Sequence, residues 1–518
     1  MLLSDIPVLG AHHAPDVHAV IFGDRRVTYV ELRDRCWRLS NALLAVGAAG
    51  DRVAILAENC LEYSECYYGV PGAGMALTLL NYRLTGRELA YIIGNAEPRI
   101  LIVEPKYLPT IRDIRSQIPS VERILVIGGD AAQDCEAYGA FAAGGAPEAP
   151  AARPLESDLC WLLYTSGTTG LPKGAMLSHR NLMAGVLNSM CTHEAAPDEV
   201  CMFTFPQFHV AGYLMPLYHL RGYPVVLLRA FDPATLLAAV ERHRCTNTAM
   251  APTMVAMLLE DPRTDDYDLS SLRGVGYGAS AMPAEVLRRA RIKWPNVGFS
   301  TGFGMTELSG NVMALSKADH VRAAEEGLPI LGSVGRQMAL ARVRVVDDAG
   351  MDCAPDQPGE IWVNGDQMLS GYWRNPEATA SSFHDGWFKT GDVGRWDEGG
   401  YLYIVDRKKD MILTGGENVY PREVEEVLYQ HPAVVDAAVV GAPDPRWGEK
   451  VVAVVCARAG HAVDGADLVA FCRERIASYK KPRHVVFIDA LPRNASGKVL
   501  KRQLRDSIAA GELILEDL

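Results

Sequence analysis

Between Tyr164 and Asn181 the chain reads YTSGTTGLPKGAMLSHRN, a hydroxyl- and glycine-rich run containing one lysine. Glycines let backbone N–H groups approach an anion, hydroxyls add donors and a lysine offsets charge, which together make a cradle for a polyphosphate. The spacing differs from GxxxxGK[ST]: Gly167 is followed by TTGLP and then Lys173–Gly174, with no Ser or Thr after the lysine. Composition alone fits a mobile solvent loop as well. A second run, STGFGMTELSG (300–310), sets Thr306 and Glu307 in a glycine-rich loop. A carboxylate beside a triphosphate suits Mg²⁺, which takes one or two carboxylates plus phosphate oxygens. By itself Gly302-Phe303-Gly304 is only a broken GxGxxG, and a tight turn with a solvated acid is the plainer reading. In KTGDVG, Asp392 follows a Thr–Gly turn and could take two hydrogen bonds from a ribose or simply cap the turn. DRKKDMILTGGENVYPREVE and PRNASGKVLKRQL complete the set, the latter placing Lys498 after Ser496–Gly497 before a basic helix. A lone lysine there is ordinarily a solvated charge.

Alternating strand and helix patterns must hold these groups. In VTYVELRDRCWRLSNALL, Thr28 and Glu31 form a capping box, and Leu32, Cys36, Leu39 and Leu43 fall on one helical stripe. RVAILAEN, RILIVEP, RILVIGG and VVLLRAF read as buried strands, and Asp232–Pro233 as N-cap and first residue of a helix through Leu236, Leu237 and Val240. This alternation predicts an α/β fold with largely parallel sheets. Residues 128–157, rich in Ala, Gly and Pro, read as a surface linker. The end of the chain has another texture. Pro421 opens a helix with Glu423, Glu425 and Glu426 in its first turns and Val424, Val427 and Leu428 on one face. AVVDAAVVG, KVVAVVCA, a helix around Leu468–Ile476 and HVVFID follow, enough for a small α+β domain. The expected division is 1–407 and 408–518, at the polar DRKKDM segment.

The chain has 518 residues, 51 basic and 63 acidic side chains and a formal net charge of −12, so the basic face of a nucleic-acid binder is not expected. A hydrophobic share of 49% against 22% charged excludes wholesale disorder. Eleven cysteines with no CxxC pair indicate a reduced compartment rather than a disulfide framework or zinc knuckle. MLLSDIPVLGAHH has neither the basic start nor the apolar core of a signal peptide, and no apolar run is long enough for a transmembrane segment. A cytoplasmic, multidomain protein is expected, with the oligomeric state (a homodimer included) left open.

Taken together, the five segments resemble the adenylate-forming superfamily of acyl-CoA synthetases, luciferases and peptide-synthetase adenylation domains, in that family's order from Tyr164 to Lys498. The resemblance implies a large N-terminal adenylation domain and a small mobile C-terminal domain turning at a hinge near Lys409. It implies ATP, Mg²⁺ and coenzyme A. Thr165, Ser166, Gly167, Thr168, Thr169 and Lys173 match the phosphate loop, with Thr169 and Glu307 at the metal. Gly278 and Ala279, with Gly302, Phe303 and Gly304, match the segments around adenine. The family's tyrosine before Gly304 is Phe303 here, which keeps the ring face and loses a hydroxyl. Thr306 matches the α-phosphate contact, Asp392 and Arg407 the ribose contacts, and Lys498 the lysine bridging carboxylate and α-phosphate. Gly415, Gly416, Trp447, Tyr479, Lys481 and Arg483 match positions that meet coenzyme A.

The implied activity is that of an acid–CoA ligase: acyl-AMP and pyrophosphate form first, and coenzyme A then takes the acyl group. In PQFHVAGY, His209 matches a histidine beside the carboxylate and thioester channel, and Phe208, Val210, Tyr213, Tyr277 and Met305 are the acyl-pocket candidates. No acid in PQFHVAG could pair an α-amine, so a carboxylic acid without an α-amino group is expected, with a fatty acid first and aromatic or alicyclic acids after it. Small Gly212 and Gly302 would leave space for the acyl chain. A stand-alone enzyme loading a carrier protein and a luciferase-type monooxygenase share these motifs; the C-terminal EDL is not the peroxisomal SKL.

Overall fold

A computed structural model describes residues 1–129, 134–151, 153–165, 171–193, 196–278, 282–458, 460–461, 463–493 and 499–515, and the counts below refer to these. Ser166, Gly167, Thr168, Thr169, Ala279 and Lys498 therefore lie outside the described residues. The chain divides into two compact units, Met1–Val343 with Val363–Phe388, and Arg344–Trp362 with Lys389–Leu518. These are packing units.

The first unit holds two sheets. One has eight strands in the order Gly371–Tyr372, Lys173–Ser178, Leu159–Thr165, Ala76–Leu79, Arg52–Leu56, Ile100–Val103, Arg123–Val126 and Glu136–Ala137. Its interior pairs are parallel, while Lys173–Ser178 runs antiparallel to Leu159–Thr165. ALTL and ILIV are buried at every position, as strands covered on both faces must be. The other sheet has nine strands, with five successive parallel pairs between His18–Phe22 and Gly298–Met305 and antiparallel strands at its ends. The helix Tyr29–Leu44 has the capping box at Thr28 and Glu31, and buries Leu32, Cys36, Leu39 and Leu43 as the spacing requires. Asp232 caps the helix Pro233–His243 by accepting from the Thr235 N–H. The fold is thus mixed α/β with parallel-rich sheets.

The second unit contains a mostly antiparallel sheet of Glu417–Val419, Ile412–Thr414, Gly448–Ala457 and Val434–Asp444, with His484–Phe487 parallel to Gly448–Ala457. The helix Pro421–Leu428 buries Val424, Val427 and Leu428. Its acids do more than suit a helix dipole. Glu425, partly buried, accepts from the Val439 N–H at 2.8 Å and pairs with Lys501 at 2.8 Å, while Glu423 pairs with Lys480 at 2.7 Å. All eleven cysteines are free, and no described helix is long and apolar enough to cross a membrane.

Two sequence expectations fail. Within the expected linker 128–157, residues 136–148 are packed on the unit: Glu136–Ala137 pairs with Arg123–Val126, and Tyr138–Ala143 forms a helix with Tyr138 and Ala142 buried. Tyr138 donates to the buried Glu65 at 2.8 Å, and Arg38 and Asn41 donate to the carbonyls of Ala143, Gly145, Ala146 and Glu148. Ala- and Gly-rich composition hid this because close backbone approach, not side-chain size, attaches the segment. Residues 300–305 are not a loop either. They end the strand Gly298–Met305, whose partner Gly310–Leu315 comes so near that a Cβ on Gly304 would stand 2.0 Å from the Gly310 carbonyl oxygen.

Candidate active site

Thr165 ends one strand and Lys173 begins the next, paired across the antiparallel ladder, so the hairpin anchors both ends of the phosphate-type loop. Strand Gly298–Met305 delivers Thr306 and Glu307 into a single 3₁₀ turn. The Glu307 side chain turns back to the hairpin: its Oε1 accepts from Thr165 Oγ1 at 3.2 Å and from Tyr372 OH at 3.1 Å. Lys173 Nζ lies 5.2 Å from the centre of the Tyr372 ring, within cation–π range. Three distant segments thus meet at one carboxylate.

Glu307 is only 6% exposed and has no ion pair among the described residues. A buried carboxylate held by two neutral hydroxyls retains lone pairs and negative charge for a hard cation. The donor set therefore fits Mg²⁺ completed by phosphate oxygens, although no cluster of three or more ligating side chains occurs among the described residues.

His209 caps the 3₁₀ turn Val210–Tyr213, its Nδ1 accepting from the Ala211 N–H at 3.1 Å. That bond places the ring proton on Nε2 when the imidazole is neutral. Neutral it is: desolvation, helped by the charge of Arg83, pulls its pKa down to about 4. Its ring stacks near Phe205 and keeps a partly accessible face.

The acyl candidates separate into two groups. Tyr213 packs against Gly310, where a Cβ would meet its ring at 3.0–3.1 Å, and Gly310 pairs with Met305, so these three adjoin the Glu307 turn. Phe208 instead sets its edge against Tyr82 at 5.3 Å. Tyr277 is buried and hydrogen-bonded to His320 Nε2 at 2.8 Å, within the core of the nine-stranded sheet. Val210 is buried beside His209. The expected space at two glycines is already filled: a Cβ on Gly212 would stand 2.2 Å from the Tyr67 hydroxyl, and one on Gly302 2.6 Å from Asn311 Nδ2. Gly278 follows strand Gly274–Tyr277, with nothing within 4 Å of a Cβ, and Phe303 is partly exposed on its strand.

In the second unit Asp392 and Arg407 are cross-strand partners joined by an ion pair of 2.6 Å between Nε and Oδ1. The acid is 7% exposed and the guanidinium 29%. Gly391 takes φ +71°, which turns the chain to present them. Lys409 sits in the 3₁₀ segment Lys408–Asp410 between two anchored neighbours, Lys408 on Asp348 and Glu360 and Asp410 on Arg505. Its own side chain reaches solvent, while partial desolvation lowers its pKa. Gly415 and Gly416 make the left-handed turn of a hairpin, and Gly415 donates to the Trp447 carbonyl at 2.8 Å. Trp447 has the Arg446 and Arg483 guanidiniums 4.8 and 4.5 Å from its ring centre, a cationic aromatic platform. Tyr479 is exposed beside Lys480, and Lys481 is half-buried with its pKa lowered by burial. Tyr372 was not foreseen. Its only sequence signal is an aromatic residue after Gly371 in LSGYW.

Within the first unit a phosphate-type hairpin has a buried acid beside it, and within the second an acid and an arginine are paired. Residues 10–373 match the AMP-binding enzyme family and residues 423–498 its C-terminal domain. The chain belongs to the AMP-binding enzyme family. This AMP-binding enzyme is 40% identical over 510 residues to a feruloyl-CoA synthase of Amycolatopsis, covering 97% of this chain and 98% of the other. It is 36% identical over 502 residues to an indoleacetate–CoA ligase of Aromatoleum aromaticum, covering 96% of each. Among solved structures it resembles O-succinylbenzoate coenzyme A synthetase from Bacillus subtilis in complex with AMP, with a TM-score of 0.85, 29% identity and 97% and 98% of the two chains covered.

Proposed function

We propose that the acid taken by this AMP-binding enzyme is an aromatic carboxylic acid without an α-amino group. The enzyme is an ATP-dependent acid–CoA ligase. A carboxylate oxygen attacks the α-phosphorus of ATP and pyrophosphate leaves; the thiol sulfur of coenzyme A then attacks the acyl carbonyl and AMP leaves. The observation that carries the site assignment is the meeting of Thr165 and Tyr372 at Glu307, with Lys173 over the Tyr372 ring. Charge spreads over phosphate oxygens in the first step, so positioned cations and donors lower its barrier more than covalent chemistry would. Glu307 would hold Mg²⁺, which neutralises phosphate charge when bound. Lys173 adds a second cation, and Lys498 is assigned to the attacking carboxylate and α-phosphate. Asp392 and Arg407 offer an acceptor and a donor to ribose hydroxyls. Trp447, flanked by Arg446 and Arg483, offers a stacking face and positive charge to the nucleotide end of coenzyme A.

A fatty acid ranks second. The aromatic class is supported by the names of the two curated relatives described above, and by Tyr67 filling the space that Gly212 leaves. The test is pyrophosphate release with ATP and Mg²⁺ against paired panels of cinnamic, arylacetic, alicyclic and fatty acids, with and without coenzyme A, products identified by mass spectrometry. Aryl-CoA as the dominant product is expected. Fatty acyl-CoA as the dominant product overturns the aromatic class. Acyl-AMP without any thioester would point to a carrier-protein loader or an oxygenase.

A further inference from the structure

We propose that Asn311 is a specificity-determining residue whose carboxamide hydrogen-bonds an oxygen substituent (hydroxyl, ether or carbonyl) on the acyl group, so the acids taken are oxygen-bearing aromatic ones. This deepens the ligase reading and rests on it. Asn311 lies in strand Gly310–Leu315, opposite Gly304 and four residues beyond Glu307. Its side chain crosses to the neighbouring strand, with Nδ2 2.6 Å from where a Cβ on Gly302 would stand, so any side chain at 302 would evict it. Next to it, Gly310 receives the face of the Tyr213 ring. The amide therefore sits with Gly302, Gly310, Tyr213 and Met305, one turn from the proposed metal carboxylate.

The carboxamide is partly buried and makes no side-chain hydrogen bond among the described residues, while the Asn311 backbone is engaged: its N–H donates to the Tyr213 hydroxyl oxygen and its carbonyl accepts from Gln367 Nε2 at 3.0 Å. Neighbouring amides are in use. Gln367 Nε2 also donates to Leu308 O, and Asn188 Nδ2 donates to Gln367 Oε1 at 2.7 Å. A carboxamide carries two donor hydrogens and two acceptor lone pairs, all of them available to a ligand where no protein group takes them. Asparagine is also a poor strand former, so a valine of similar volume would suit the sheet better. The amide is thus partly accessible and, among the described residues, without a side-chain partner beside the acyl candidates. A substrate oxygen satisfies it as donor partner whether or not that oxygen carries a hydrogen.

The test measures kcat and KM for acyl-CoA formation with 4-hydroxycinnamate against cinnamate, and 3-(4-hydroxyphenyl)propanoate against 3-phenylpropanoate. Wild type should favour the oxygenated member by about tenfold or more. Asn311→Val should remove that preference by raising KM for the oxygenated acid at least tenfold more than KM for the plain acid. Asn311→Thr keeps a hydroxyl and should restore part of it; it also decides the matter if Asn311→Val does not melt cooperatively. A wild type without preference, or a preference intact in both variants, overturns the assignment of Asn311 while leaving the ligase intact. A wild type that releases no pyrophosphate with any acid overturns the ligase reading and the inference with it.

Discussion

At the scale of single residues, charge placement decides the chemistry. Glu307 is held by Thr165 and Tyr372 through uncharged hydroxyls and has no ion pair among the described residues, which makes it the proposed cation ligand. Glu307→Gln keeps the shape and can still accept both bonds. Acyl-AMP formation should fall by about a hundredfold or more, on the scale of losing one electrostatic group at a reacting phosphate, while the melting temperature stays within a few degrees. Single-turnover pyrophosphate release at saturating Mg²⁺ measures the first quantity and thermal melting the second. An unchanged rate would return Glu307 to a purely structural place. Histidines follow the opposite logic. His179, His209 and His219 have pKa values pulled down to about 4, chiefly by burial. Unfolded histidine titrates near about 6.5. Between those values the unfolded chain binds more protons than the folded one, so stability falls as pH drops from about 6.5 to 4. The slope should approach about 1.4 kcal/mol per pH unit for each such histidine. Urea midpoints measured across that window, with His219→Gln flattening the slope, check it.

At the scale of elements, glycines set how closely backbones pack. Gly145 follows the short helix Tyr138–Ala143, and a Cβ there would stand 2.0 Å from the Arg38 carbonyl oxygen and 2.7 Å from the Ala42 nitrogen. Gly145→Ala should cost about 1–3 kcal/mol by overpacking, read as a lower urea midpoint, with KM for ATP unaffected because the segment carries no assigned site residue. A neutral outcome would mean that the segment is attached by the Arg38 and Asn41 side chains donating to its carbonyls and not by close backbone packing. The same close approach explains why 300–305 forms a strand although its glycines suggest a loop. Once Gly310–Leu315 lies alongside, each missing Cβ becomes space that the partner strand occupies. Propensity described the isolated segment, and the ladder determined the folded one.

At the scale of the whole molecule, one prediction concerns the hinge proposed near Lys409 and the lysine at 498. The neighbours of Lys409 are tied by ion pairs to Asp348, Glu360 and Arg505, while Lys409 itself is the middle residue of the 3₁₀ turn that follows strand Leu402–Arg407. Lys409→Pro fixes φ at that point. Acyl-AMP formation should persist while thioester formation falls by at least tenfold, as for a gated conformational step. Lys498→Ala should do the reverse, abolishing acyl-AMP formation and sparing thioester formation from supplied acyl-AMP. Measuring the two half-reactions separately in both variants checks this, and parallel losses in both would remove the hinge and the lysine from their assigned roles.

The sequence by itself determined much of this protein. Residue order within short segments was enough to recognise the parallel strands, the Thr28–Glu31 and Asp232 caps, the Pro421 helix and the segments carrying Lys173, Glu307, Asp392 and Arg407. Those signals are local: a periodicity, a cap or a contiguous string is complete within a few residues. Tertiary structure alone decided what joins across the chain. Tyr372 reaches Glu307 from 65 residues away, Tyr138 brings a stretch that reads as linker into the core through Glu65, and Tyr67 fills the space above Gly212. Asn311 belongs with these, since nothing in its own segment says that its amide will lie over Gly302. Such contacts depend on which strands become neighbours in a sheet, and that order is set by burial of the whole set of elements together.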